Sequence, residues 1–202
     1  MALFGHALLP VLSRLLIAAG WLAFLAFLLA QGNRPAVAKA GAEVKRDPIS
    51  TVGIAFQGLA FAAVWMIERP LPRAGATLPA GEIALDVLAP LLSIASGWIG
   101  VAAVRTLGRE WSYAARLVEG HRLVVTGPYR WVRHPIYAAM LGKLIATNFA
   151  FGHWLGLVIA VPIFGYGTFI RVRAEERLLR GQFGHEYAEY AKRVRAVIPG
   201  VF

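Results

Sequence analysis

The sequence predicts an all-α integral membrane protein: about five transmembrane helices, the last two a short helical hairpin, with its polar chemistry gathered in the C-terminal half. Three observations predict it. Of 202 residues, 58% are hydrophobic and only 16% charged, against about 45–50% and about 25% in soluble domains, and the mean hydropathy is +0.59. Five segments are nearly free of charge. The basic residues between them collect on alternate sides. This composition excludes a disordered or collagen-like chain and most soluble enzymes. The absence of cysteine excludes a disulfide framework, a thiolate metal site and a cysteine nucleophile, and no metal site is expected. The length suits a single membrane domain, 1–202.

The first segment runs over about Leu8–Leu29 and carries only Arg14. It is not expected to be a cleavable signal peptide, because no basic stretch precedes it and no small-x-small site follows. The second, Ile49–Ile67, has Gln57 as its most polar member, and the third, Ile83–Val104, has Asp86 near its start. About 20 helical residues cross a hydrocarbon core about 30 Å thick, so these three fit. The fourth, Ile136–Phe151 with Lys143, and the fifth, Trp154–Ile170, have 16 and 17 residues and meet at Gly152-His153. They read as a hairpin that barely crosses or turns near the far interface. Arg14 and Asp86 lie close enough to predicted ends to snorkel. Lys143 does not, and a charge at that depth is usually functional or paired.

The charges between the segments sort by side. Arg34, Lys39, Lys45 and Arg46 lie in the first linker, six arginines in 105–135, and seven basic residues from Arg171 onward, so one side collects 17. The other side collects only Arg69 and Arg73, in a linker rich in proline and glycine. By the positive-inside rule the N-terminus is outside and the C-terminus cytoplasmic, as expected of a bacterial inner-membrane protein. This asymmetry accounts for the net charge of +10 without a nucleic-acid partner. A hairpin returns the chain to the face it left, so 105–135 and 171–202 must lie together. Residues 1–104 therefore read as three spans and 105–202 as the half that carries the chemistry.

In the first polar block, Arg122–Thr126 reads as a local extended stretch and Gly127-Pro128 as a turn. Pro135 suits the first turn of a helix re-entering the membrane, and helix N-termini attract anionic groups. Trp131 alone reads as an interfacial aromatic. In the second block, Arg171 and Glu175 share one helical face, at the spacing of an ion pair. Gln182-Phe183-Gly184 reads as a break. Tyr187 and Tyr190 suit an amphipathic helix on the headgroups, and Ile198-Pro199 as its end.

The ordered string Gly127-Pro128-Tyr129-Arg130-Trp131-Val132-Arg133-His134-Pro135-Ile136-Tyr137, then Glu175-Glu176, Phe183-Gly184-x-x-Tyr187-x-x-Tyr190 and Ile198-Pro199, closely resembles the isoprenylcysteine carboxyl methyltransferase family of integral membrane enzymes. The resemblance covers roughly 105–202. It implies S-adenosylmethionine as methyl donor in a pocket at the cytoplasmic membrane boundary, and a lipophilic or prenylated acceptor reached from the membrane lipid. By position it implies cofactor contacts from His121, Arg122, Leu123 and Val124, from Tyr129, and from His134, Pro135, Ile136 and Tyr137. Glu175 corresponds to the carboxylate that meets the cofactor's charged end, and Arg171 to an arginine that orients the substrate. Two positions depart from the family: Ala139 stands where glycine is frequent, and Arg116 stands where eukaryotic members carry a cofactor-binding glutamine. Relatives include phospholipid N-methyltransferases. A membrane reductase of sterol-reductase type with NADPH, or a small transport or scaffolding protein, are the competing classes.

Overall fold

A computed structural model describes residues 2–32, 43–71 and 78–198. Arg34, Lys39, Arg73 and Pro199 lie outside the described residues. Among those described there are five α-helices: α1 (Ala2–Gly32), α2 (Ile49–Met66), α3 (Ala80–Leu107), α4 (Pro135–Phe151) and α5 (Trp154–Arg193). All but α4 are long and apolar enough to cross a membrane. The helix starts follow the punctuation: Pro48 and Pro79 stand just before α2 and α3, and Pro135 opens α4.

Of the expected short hairpin, the first arm holds and the second needs correction. α4, with 17 residues, rises about 25 Å, short of a hydrocarbon core about 30 Å thick. It is the innermost helix, with Leu144, Ala146 and Thr147 fully enclosed. Its partner is not short: α5 runs for 40 residues, with a single non-helical position at Gly184. The φ of 48° there is one that glycine adopts freely, and it marks the break read at Gln182–Gly184.

The all-helical expectation also misses a small sheet. β1 (Glu43–Arg46) pairs antiparallel with β2 (Arg116–Val118), matching Lys45 to Leu117 and Arg46 to Arg116, with an irregularity between Glu43 and Lys45. The strand therefore forms just upstream of the expected extended stretch, where a partner is within reach; 121–125 has no regular structure. The ladder joins the α1–α2 linker to the first polar block on one side of the helices. On the opposite side, the N–H of Arg69 donates to Phe151 O at 2.6 Å, and that of His153 to Ile67 O at 2.9 Å. The two sides inferred from the charge pattern are thus also two sides of the fold.

Arg14 and Asp86 are not snorkelling. Arg14 donates to Ala150 O at 3.0 Å and Arg69 O at 2.6 Å, and Asp86, 1% exposed, accepts from Arg69 at 2.7 Å. The groups find partners on neighbouring elements at that end and need not reach water. Lys143 is buried, with its ammonium near Ser93 Oγ at 3.1 Å and Gly20 O at 3.3 Å. α2 packs mainly on α5, α3 on α4, and α1 on α3. This leaves the faces of α1 and α2 free to flank a cleft.

Candidate functional site

The first polar block is held by the chain's own tail. Gly127–Arg130 forms one 3-10 turn with Pro128 at its start, and the Tyr129 carbonyl accepts from the Tyr190 hydroxyl at 2.5 Å. The backbone N–H groups of Arg133 and His134 donate to Arg195 O and Ala196 O, both at 2.8 Å. Tyr187 and Tyr190 are therefore buried in this strap, not laid on headgroups as expected, because the break at Gly184 turns the last helical turns back across the block.

Pro135 opens α4, where its missing N–H leaves no bond unmade. His134 occupies the N-cap without making a capping bond. Its ring turns to α5: Nδ1 is 3.1 Å from Glu175 Oε2 and Nε2 is 3.5 Å from Glu176 Oε1. It stacks on Tyr137, ring centroids 5.7 Å apart, and the Tyr137 hydroxyl donates to Glu175 Oε1. Arg133 secures Glu176 at 2.5 Å. Burial alone would lower the His134 pKa, but the two glutamates overcome it and raise it. Burial, reinforced by the Glu175 charge, pushes the Tyr129 hydroxyl well above its ordinary range. Burial lowers His121.

Arg171 and Glu175 form no ion pair with each other. The arginine, 8% exposed, donates to Gln57 Oε1 at 2.9 Å and to Tyr113 O at 2.6 Å, and lies 4.7 Å from the Tyr137 ring centroid. Gln57 in turn donates to Thr168 Oγ1 at 2.9 Å. The helices carrying these groups touch through glycine. A Cβ at Gly53 would lie 2.5 Å from Arg171 Cγ and 2.6 Å from Gly167 O, so only a bare backbone allows the approach.

These groups line one end of a cavity of about 830 Å³. The other end is apolar and runs between α1 and α2, past Leu25, Ile54, Leu22 and Phe61 to Trp65. Trp21 and Phe61 meet edge to face across it at 5.0 Å. Among the described residues, three buried polar atoms in its walls have no hydrogen-bond partner, His121 Nδ1, Arg171 Nε and Tyr187 Oη, and His134 Nε2 has only the Glu176 oxygen at 3.5 Å. Buried polar groups are normally satisfied, so a wall with several free ones fits a polar ligand.

Of the twelve residues singled out from the sequence, eleven line this cavity: Arg116, His121–Val124, Tyr129, His134, Ile136, Tyr137, Arg171 and Glu175. Pro135 is buried but does not line it; it sets the start of α4. Sequence reasoning missed Gln57, Tyr113 and the apolar wall from α1 and α2. Gln57 had a signal, being the most polar residue of an otherwise apolar span, and polar groups within spans mark function or pairing. The apolar α1 and α2 wall had none, because its side chains are of the same kind as those on the helices' other faces.

Residues 89–181 match the model of the isoprenylcysteine carboxyl methyltransferase family; the match runs from within α3 to Gly181 of α5 and includes the string 127–137 and Glu175-Glu176, but not the motif elements from Phe183 onward. The chain is similar to the protein-S-isoprenylcysteine O-methyltransferase of Saccharomyces cerevisiae, 34% identical over 115 residues, 56% of this chain and 48% of that protein. A probable protein-S-isoprenylcysteine O-methyltransferase of Oryza sativa subsp. indica is 33% identical over 99 residues, 48% of this chain and 52% of that protein. A cobalt-zinc-cadmium resistance protein of Cupriavidus metallidurans is 31% identical over 115 residues, 55% and 51% of the two chains. The chain spans about half the length of the curated relatives it matches.

Proposed function

We propose that the chain transfers a methyl group from S-adenosylmethionine to a lipid-like or lipidated acceptor, and that the accepting group is the carboxylate of a prenylated cysteine or a similar amphiphile. One observation carries the reading: a single cavity joins a polar end, with its unsatisfied donors and Glu175, to an apolar cleft between two membrane helices. A volume of about 830 Å³ lies within the range of about 300–1,000 Å³ for ligand sites. The names of the yeast and rice relatives support the acceptor class.

The residues present fit the methyl donor. Tyr129, His134, Tyr137 and Glu175 would hold it, with 121–124 alongside. Bound there, S-adenosylmethionine supplies an electrophilic methyl group on a sulfonium. The protein's part is alignment and exclusion of water. A carboxylate acceptor is ionised at neutral pH and needs no base. It needs orientation, and Arg171 still has an unsatisfied Nε at the junction of the polar and apolar ends. A guanidinium fork matches a carboxylate in two contacts. Gln57 and the Tyr113 carbonyl hold that fork still, so Gln57 is a positioning residue. The apolar tail of the acceptor would enter sideways from the bilayer between α1 and α2. The same reading puts the N-terminus outside and the C-terminus in the cytoplasm of a bacterial inner membrane.

The test uses the full chain in detergent. S-adenosylhomocysteine should raise its unfolding temperature and NADPH should not; a ligand at 100 times its Kd adds about 2.7 kcal/mol. With labelled S-adenosylmethionine, a farnesylated N-acetylcysteine should gain the methyl group. Stabilisation by NADPH alone would replace the reading with a reductase. Methylation of phosphatidylethanolamine but not of the carboxylate would replace it with an N-methyltransferase.

A further inference from the structure

A second cavity, of about 490 Å³, lies on the outer face of α5. Arg133, Arg173, Arg177 and Arg180 line it together with Phe169 and Val172. On α5 these residues make one stripe. Tyr166 and Phe169, 54% and 41% exposed, lie within the apolar part of the helix; Arg173, Arg177 and Arg180 follow at intervals of three or four, the spacing of one helical face. From 169 to 177 the helix rises about 12 Å, enough to cross the layer of about 5–7 Å between hydrocarbon and water. The stripe therefore passes from aromatic to cationic at the depth of the headgroups.

The charge there is not cancelled. Glu176 takes Arg133 at 2.5 Å and Arg180 at 3.2 Å, and is shared with His134; Asp47 takes Arg177 at 3.0 Å. Arg173 has no carboxylate partner among the described residues, and its guanidinium lies 5.0 Å from the Phe169 ring centroid. Four guanidinium groups thus have two carboxylates between them, of which Glu176 lines the hollow; the floor, Phe169, Val172 and Ala196, is apolar. Guanidinium forks suit phosphate oxygens, and the aromatic stripe above suits an acyl chain.

We propose that this cavity binds the phosphate of an anionic phospholipid, with one acyl chain lying along Phe169 and Tyr166. Arg173 and Arg177 take the phosphate, and Arg133 and Arg180, tied to Glu176, form the inner wall. This cavity shares the Arg133 wall with the methyl-transfer cavity but is otherwise lined by other residues, and its readout is lipid binding, so it is tested apart from that reading.

The experiment follows thermal unfolding of the full chain in a neutral detergent while dioleoylphosphatidylglycerol is titrated, with dioleoylphosphatidylcholine and inorganic phosphate as parallel titrants. A saturable rise is expected with the anionic lipid alone. In Arg173→Gln/Arg177→Gln the half-saturating lipid concentration should rise about thirtyfold. Arg193→Gln/Arg195→Gln, which removes as much charge from exposed residues of the tail, should leave it unchanged. The single variant Arg173→Gln, which breaks no ion pair among the described residues, should raise it about fivefold, and keeps the test open if the double variant fails to fold. Equal loss in both double variants, an equal response to phosphatidylcholine, or a full response to inorganic phosphate would each overturn the proposal.

Discussion

Arg171 of α5 and Gln57 of α2, 114 positions apart in sequence, share a hydrogen bond of 2.9 Å between membrane helices. Among the described residues it is one of two hydrogen bonds from the guanidinium, the other going to the Tyr113 carbonyl. The orientation of this charge is therefore a property of the α2–α5 packing. Arg171→Lys should lower turnover by one to two decades, since an oriented charge-assisted contact is worth roughly 1.5–3 kcal/mol. S-adenosylhomocysteine affinity should stay nearly constant. Gln57→Leu, which removes the hydrogen bonds to Arg171 and to Thr168, should lower turnover at least about tenfold by releasing the guanidinium, with the same unchanged affinity. Steady-state rates and calorimetric titration check both; equal loss of cofactor binding would assign Arg171 to the cofactor pocket or to the fold.

Glu175→Gln should weaken S-adenosylhomocysteine about ten- to hundredfold, the worth of a charged hydrogen bond, while the protein still inserts. The isostere keeps an acceptor for Tyr137, removes the charge, and puts an amide donor where the second oxygen faced His134. Unchanged binding would leave Glu175 as a structural support for His134 and Tyr137.

His134 gives a pH signature. Its folded pKa is raised above the ordinary imidazole value, because Glu175 and Glu176 outweigh the effect of burial. The stability it contributes is complete below that ordinary value, about 6.5, and is lost as pH rises through the higher folded one. The unfolding temperature should therefore fall as pH is raised from the ordinary imidazole range upward, and His134→Gln should flatten that slope. An identical slope in the variant would contradict the assignment.

Gly53→Ala should lower the unfolding temperature by roughly 5 °C, since overpacking costs about 1–3 kcal/mol. Its Cβ would meet the Gly167 carbonyl oxygen at 2.6 Å, and backbone cannot turn aside. Gly181→Ala, on the same pair of helices but in open space, should be neutral or slightly stabilising. Parallel melting curves decide it.

A reporter fused after Phe202 should behave as cytoplasmic, and one inserted between residues 70 and 80 as external. The opposite pattern would reverse the sides of both polar blocks.

The helices were legible because Pro48, Pro79, Pro135 and Gly152 interrupt long apolar runs, and such runs need no tertiary information to be seen. The polar end of the site was legible because its residues crowd into two short stretches. The facing of the helices was not. A helix apolar all round carries no stripe to say which side is inward, so nothing distinguished Phe24 or Phe61, which line the cavity, from residues that meet lipid. Nor could local signals foretell pairings between distant segments: β1 with β2, Arg69 with Asp86, Gln57 with Arg171. Tyr187 and Tyr190 have the spacing of a surface helix, and only the turn at Gly184 reveals that they are buried.

α5 continues without a break from Trp154 to Gly184, and Arg171 and Glu175 stand on it four residues apart, about 6 Å of rise. The apolar span and both groups are thus parts of one strut. On the proposed reading, how deeply that strut is seated would set the height of the reaction plane, and a thicker or thinner bilayer would carry both groups up or down together with their spacing intact. Acceptors would then be sorted by buoyancy as well as by chemistry: a headgroup riding one helical turn nearer the water would pass beyond the reach of Arg171, however well its carboxylate matched.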